Sequence, residues 1–399
     1  MMKHYPHILS FLLTATLLCL LSACTKEPIP DPPVNNDDEV YITDSVRYAA
    51  DHMTVYNFVY PSTDPDGNPV TLSGTITFGD SVTRHHPAKG LALYSHFTVY
   101  RADQCPTRGE LSIQKVMARS PLITISADYY GFGTTETNPQ AYCISGINAQ
   151  NSVDALIAAR KLLSDMGYQW DDHLFNIGYS QGGQTAMGIT RLVAERYPDI
   201  HFDYTFAGAG PYDLPSTFRQ FLLDTLTGMP STVISVLLAF NEFCHLDIPY
   251  SDLFIEPVLS HIDEWILSKQ YTRQEIDALI NAHSMADYLT PAMCDLETDL
   301  SKRFLAAMET DNICQGWAPR INEPIYIFHN TQDITVPPIN TQNLYQFLTT
   351  QGSTNVILDM DDYGSSPVLP AHETGAIYFQ TRAIQIMADI LGIQPWSIF

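Results

Sequence analysis

Apolar and polar positions along this chain fall into distinct regimes. Between residues 53 and 78 the pattern is that of a hairpin. Val55, Phe58 and Val59 lead into Pro65-Asp66-Gly67-Asn68, and Val70, Leu72, Gly74 and Ile76 alternate beyond it. The stretch from Asp64 to Asn68 carries calcium-loop residues. Its glycine is misplaced, however, and Thr75 stands where a bidentate glutamate is needed, so it predicts a turn. After the hairpin, short apolar runs at 90–94, 122–127, 174–178, 204–209, 324–328 and 355–360 alternate with helical patterns at 147–163, 183–196, 340–350 and 373–391. This alternation predicts βαβ units and hence an α/β fold: a mostly parallel central sheet with helices on both faces and the hairpin at one edge.

One stretch breaks the rule. Between 211 and 320, helical patterns at 218–226, 232–243, 255–267, 273–282 and 300–309 follow one another without an evident strand. The stretch is bracketed by two strands of the sheet. It therefore predicts a helical cap, residues 211–320, inserted near the C-terminal strand edge of a core made from 46–210 and 321–399.

The N-terminus is different again. Lys3 and His4 precede an apolar run from Ile8 to Leu21, too short for a comfortable membrane span, which reads as a secretory signal over residues 1–24. It closes on Leu21-Ser22-Ala23-Cys24, which resembles the bacterial lipobox. The resemblance implies that Cys24 is acylated and becomes the new N-terminus. With Thr25 rather than aspartate following, the expected location is the cell envelope, at the outer membrane of a Gram-negative cell. Several acyl chains on one residue give stable anchoring, whereas one chain binds only marginally. Residues 25–45, rich in proline and acids, predict a tether.

The net charge of −24 makes nucleic acid an unexpected partner, and leaves the lipid anchor as the expected membrane contact. Five cysteines follow Cys24: Cys105, Cys143, Cys244, Cys294 and Cys314. No pair has zinc-finger spacing, and an oxidising envelope allows two disulfides among them, with Cys105–Cys143 the favoured bridge.

The strongest chemical signal is Gly178-Tyr179-Ser180-Gln181-Gly182, which fits G-x-S-x-G between an apolar run and a helical pattern. A serine at a tight strand-to-helix turn projects its hydroxyl above the sheet at the positive end of a helix. Ser180 is the expected nucleophile, and it needs a base oriented by an acid. Asp333, in the loop after the 324–328 strand, is the expected acid. His372, opening the last helix, is the expected base; His329 lies too near the core and is expected to pack behind them. Two backbone N–H groups should hold an oxyanion, one from Gln181 and one from Phe97 or Thr98. The segment Ser95-His96-Phe97-Thr98 resembles the His-Gly motif of esterases with phenylalanine in place of glycine. His96 is expected to brace that loop.

Ala127-Asp128-Tyr129-Tyr130-Gly131-Phe132-Gly133, the Ser180 motif and Ala209-Gly210-Pro211-Tyr212-Asp213-Leu214 together resemble the secretory lipase and prolyl-oligopeptidase-like branches of the α/β-hydrolase superfamily. The similarity spans about residues 50–395. It implies an α/β-hydrolase fold and ester or amide hydrolysis through an acyl-serine, with no metal and no organic cofactor. The expected activity is that of a lipase- or esterase-like carboxylic ester hydrolase acting on small-molecule, lipid or polysaccharide esters. The alternative is a serine peptidase of the prolyl-oligopeptidase-like type acting on short peptides.

Overall fold

A computed structural model describes residues 26–28, 40–109, 112–224 and 229–397. The signal segment and Cys24 lie outside the described residues, as do most of the proposed tether and the end of the 218–226 helical pattern.

The described strands form one ten-stranded sheet in the order β1-β2-β3-β4-β6-β5-β7-β8-β9-β10. The expected hairpin lies on its antiparallel side. β3 (Met53–Thr63) pairs along its full length with β4 (Pro69–Gly79). The turn between them is closed by Asp64, whose carboxylate accepts from the N–H groups of Asp66 at 3.0 Å and Asn68 at 2.7 Å. This satisfies the turn internally, as a short polar side chain can. The parallel side contains β5 (Ala88–Ser95), β6 (Leu122–Ala127), β7 (Trp170–Tyr179), β8 (Tyr204–Gly208), β9 (Ile325–Asn330) and β10 (Val356–Asp361).

β5 lies between β6 and β7, so the chain leaves it first to one side and then to the other. The loops after β5 and β7 therefore diverge at a topological switch point, where open parallel sheets leave a crevice.

Helices cover both faces: α1 (Ser112–Met117), α2 (Ser145–Asp165), α3 (Gln181–Arg196), and near the C-terminus α8 (Ile339–Thr350) and α9 (Ala371–Leu391). Between β8 and β9 stand α4 (Leu214–Asp224), α5 (Pro230–Phe243), α6 (Arg273–Ile280), α7 (Asp299–Thr310) and several single turns. They share one apolar cluster that includes Phe218, Ile234, Phe240, Trp265 and Phe304. No described strand interrupts them. Lys269 pins this segment to the core: its ammonium donates to the carbonyls of Gly131, Glu136 and Asn138, all within 2.7 Å.

Two expectations need correction. The tether reading of 25–45 overlaps structure at both ends: β1 (Lys26–Pro28) pairs with β2 (Tyr41–Tyr48), which pairs in turn with β3. An edge strand has a partner on one side only and a largely solvated face, so its composition can look like that of a linker. The disulfide expectation also fails, for all five cysteines are free. Cys105 sits in a small cluster with Val99 and Phe132, its thiol against the Ala102 carbonyl at 3.4 Å. Cys143 packs instead in the apolar cluster of the inserted helices. Burial pushes the Cys105 thiol up to about 12, so it rests as an inert, protonated small hydrophobe.

Candidate active site

β7 ends at Tyr179 and α3 begins at Gln181, leaving Ser180 alone to make the turn. Its φ of 59° and ψ of −127° are strained for a side-chain-bearing residue. The N–H of Ser180 donates to the Gly208 carbonyl at 2.9 Å, and its carbonyl accepts from Gln184 at 3.1 Å. Two glycines make the turn possible by close approach. A Cβ on Gly178 would lie 2.0 Å from the Gly182 carbonyl oxygen, and one on Gly182 would lie 2.1 Å from that of Ser95. The motif is thus a packing requirement as well as a signature.

Asp333 stands in the loop after β9 and His372 is the second residue of α9. The fold brings both to Ser180. His372 Nδ1 lies 2.6 Å from Asp333 Oδ2, and His372 Nε2 lies 2.9 Å from Ser180 Oγ. A carboxylate only accepts, so Nδ1 carries the proton and Nε2 is left to accept from the serine hydroxyl. Asp333 is fully buried; its other oxygen accepts from the N–H groups of Thr335 at 2.8 Å and Val336 at 3.0 Å. Burial alone would raise its pKa, but the imidazoles of His372 and His329 hold its carboxyl well below the usual carboxylate range. Burial likewise opposes charge on His372, yet the facing carboxylate of Asp333 holds the imidazole above its ordinary value.

His329 lies behind Asp333. Its Nε2 sits 2.9 Å from the Val336 carbonyl and 3.5 Å from Asp333 Oδ2, while Nδ1 accepts from the Thr341 hydroxyl at 2.6 Å. The ring closes the loop that carries Asp333.

Beyond β5, His96 is buried and stacked on Tyr129, ring centroids 4.0 Å apart. Burial lowers its pKa, so the ring is neutral and has one proton to give. Its Nδ1 is 2.7 Å from the Phe97 carbonyl, against 3.3 Å from Nε2 to that of Asp128, so the shorter bond takes the proton. In a trans peptide the C=O and the following N–H point opposite ways. His96 thereby sets the direction of the Thr98 N–H. Gln181, as the first residue of α3, has an N–H with no carbonyl to meet within its helix.

Two positioning residues were not singled out from the sequence. Tyr179 carries no periodic signal, being the variable residue inside the serine motif, yet its hydroxyl donates to the carbonyl of His372 at 2.7 Å. Asn330, at the end of β9, donates to the carbonyls of Gly364 and Ala371, both at 2.9 Å, and accepts from the N–H of Tyr363 at 3.2 Å. It ties the strand before Asp333 to the loop that delivers His372. Nothing in local pattern could single it out.

Ser180, His372, Gln181, Phe97 and Thr98 all line one pocket, of about 390 Å³, within the range of small-molecule sites. Most of its wall is apolar, with residues contributed by α4, α5, α1 and α9. Among the described residues no cluster of His, Cys, Asp and Glu could hold a metal ion.

A family model for the secretory lipases matches residues 109–389. Among solved structures, a rice cell wall degrading esterase, LipA from Xanthomonas oryzae, superposes with a TM-score of 0.71 at 21% identity, covering 85% of this chain and 90% of its own. A putative hydrolase from Legionella pneumophila gives 0.74 at 19% identity, covering 85% of this chain and 88% of that one. Candida antarctica lipase A in its closed state gives 0.63 at 15% identity, covering 88% and 80%. Likeness at such identities speaks for the α/β-hydrolase fold alone. No curated protein matches the chain.

Proposed function

Because the chain belongs to the secretory lipase family, and so to the hydrolases of esters, we propose that it cleaves carboxylic esters through an acyl intermediate on Ser180. One observation carries this reading: a single imidazole, His372, spans Ser180 Oγ at 2.9 Å and the buried Asp333 at 2.6 Å on the wall of an apolar pocket.

Ser180 Oγ attacks the ester carbonyl carbon while its proton passes to His372 Nε2. Asp333 keeps Nδ1 protonated and stabilises the imidazolium that forms. The oxygen of the tetrahedral intermediate is held by the N–H groups of Gln181 and of the loop after β5, where Phe97 and Thr98 are the candidates. Of these two, Thr98 has its N–H direction set by the His96 bond to Phe97. Collapse breaks the bond to the leaving oxygen, which takes the proton from His372 and departs as the alcohol. Water then adds to the acyl-serine with His372 again as base, releasing the carboxylic acid and restoring Ser180. The strained backbone at Ser180 and the helix N-terminus beneath it support this assignment. Family membership favours esters over the peptide alternative.

The family also implies an exported protein. The lipobox-like Cys24 extends this to a lipid-anchored enzyme of the cell envelope, with the helical segment 211–320 acting as a cap over the pocket.

The test is Ser180→Ala assayed on p-nitrophenyl esters, with a fluorophosphonate probe on the unaltered protein. The expected result is a fall in kcat on the order of 10⁶ with the fold retained, and labelling at Ser180. An active Ser180→Ala protein, or a probe that labels elsewhere, overturns the mechanism.

A further inference from the structure

The pocket draws its wall from two separate apolar clusters, and Ser180 lines it together with both. Leu214, Phe218, Phe221, Val233 and Cys143 belong to the cluster of the inserted helices. Tyr94, Met117, Ile177, Tyr179, Phe379 and Ile384 belong to the cluster between the sheet, α1 and α9. A hydrolase needing room only for an acyl chain has no use for the second arm.

That second arm is long. His372, Glu373, Ala376, Gln380 and Ile384 all line the pocket, and the spacing of the last three puts them on one face of α9. Ile384 stands twelve positions after His372, so the lining of α9 extends along the helix for about 18 Å at 1.5 Å per residue. Its polar contributions from α9 are Glu373 beside the base and Gln380 further along; the rest of that face is apolar.

The chemistry of the site distinguishes the two arms. The leaving oxygen must reach His372 Nε2 to receive its proton. The α9 arm departs from His372, past Tyr179, whose ring lies 5.1 Å from the imidazole. The wall under α4 and α5 adjoins instead Gln181 and Tyr142, whose hydroxyl lies 2.9 Å from that of Thr98.

Resting on the acyl-serine reading above, we propose that the α9 arm binds the alcohol half of the ester as an extended alkyl chain, while the acyl half lies under α4 and α5. The substrate class is then an ester with apolar chains on both sides of the scissile bond, rather than one with a sugar or a charged alcohol.

Two ester series test this: acetates of alcohols from methanol to decanol, and methyl esters of acids from acetate to decanoate. In the unaltered protein kcat/KM should rise with chain length in both. Ala376→Trp, which fills the arm near its mouth, should cost decyl acetate about tenfold or more and leave the methyl ester series unchanged. Gln380→Trp, on a half-exposed position further along, should penalise only the longest alcohols and reads the arm even if Ala376→Trp fails to fold. Val233→Trp should do the reverse, penalising long acids and sparing long alcohols.

Fluorophosphonate labelling of Ser180 in each protein separates two kinds of failure. Absence of labelling and of ester cleavage in the unaltered protein defeats the acyl-serine reading itself. A labelled, active protein overturns the arm assignment in either of two ways: its rate does not depend on alcohol length, or its α9 variants alter the acid series instead.

Discussion

The hydroxyl of Tyr179 donates to the backbone carbonyl of His372 at 2.7 Å. The residue before Ser180 thus holds the main chain of His372, the proposed acceptor of the serine's proton. Burial raises the Tyr179 phenol well above its usual pKa, so it stays a donor at any working pH. Gly375, one turn into α9, leaves the space this hydroxyl needs: a Cβ there would sit 2.6 Å from it.

Tyr179→Phe should therefore act on catalysis more than on stability. It leaves the His372 carbonyl without this partner, a loss of about 1–3 kcal/mol. The start of α9 is then free to shift against Ser180. We expect kcat to fall about tenfold with KM for short esters near its original value. Equal losses in Tm and in all kinetic constants would argue against a positioning role. Gly375→Ala should give the same kinetic signature, because its methyl group displaces the hydroxyl.

Activity should depend on pH through His372. The base must be neutral to accept a proton, so kcat/KM rises as pH climbs through its pKa. Asp333 holds that pKa above the ordinary value, which is about 6.5 for a free imidazole, and the acid limb should lie above it. Asp333→Asn removes the charge responsible, so the limb should move to lower pH. Its amide can also donate to Nδ1, which moves the proton to Nε2 and leaves no acceptor for Ser180. A fall in kcat on the order of 10⁴ is expected. A pH–rate profile of the variant with an unmoved limb would show that the limb belongs to another group.

Lys269 offers a separate test of how the inserted helices are held. It adopts a φ of 54° and buries its ammonium among three carbonyls from the loop 131–138, 5.3 Å from the ring centroid of Phe132. Lys269→Met keeps most of the stem but leaves those carbonyls without their donor. We expect a destabilisation of about 2–4 kcal/mol, read as a lower Tm. Proteolytic cleavage should also become faster within 211–320 than in the sheet. Unchanged Tm and proteolysis would show that apolar packing alone holds the segment.

Cys24→Ala should abolish the proposed acylation, for which its thiol would be the attachment point. Incubating cells with a palmitate analogue checks this directly. The unaltered protein should incorporate label and fractionate with membranes, and the variant should do neither. Equal incorporation in both would reject the lipid anchor.

The sequence by itself determined what depends on neighbours a few residues away. Alternation at period two marked β3 and β4, and the Asp64 turn between them closes on its own side chain. Apolar runs and helical spacing marked the parallel strands and their helices. Gly178 and Gly182 announced the turn at Ser180, because a Cβ at either would strike backbone within the same local structure or the strand beside it. Other features were settled only by tertiary packing. His372 meets Ser180 across 192 residues and Asp333 across 39, and Asn330 meets the chain just before His372 across 41. No periodicity encodes such meetings, which follow from where whole elements come to rest. The same reason separates Cys105 from Cys143, placed in different apolar clusters by packing that neither cysteine controls. It also explains why the start of β2 passed for part of a tether: the strand takes its order from the neighbours on either side of it. The α9 wall of the pocket is of this kind as well. Ala376, Gln380 and Ile384 read in sequence as one face of an ordinary helix, and became the wall of a site only when α9 was laid against α1 and the sheet beside Ser180.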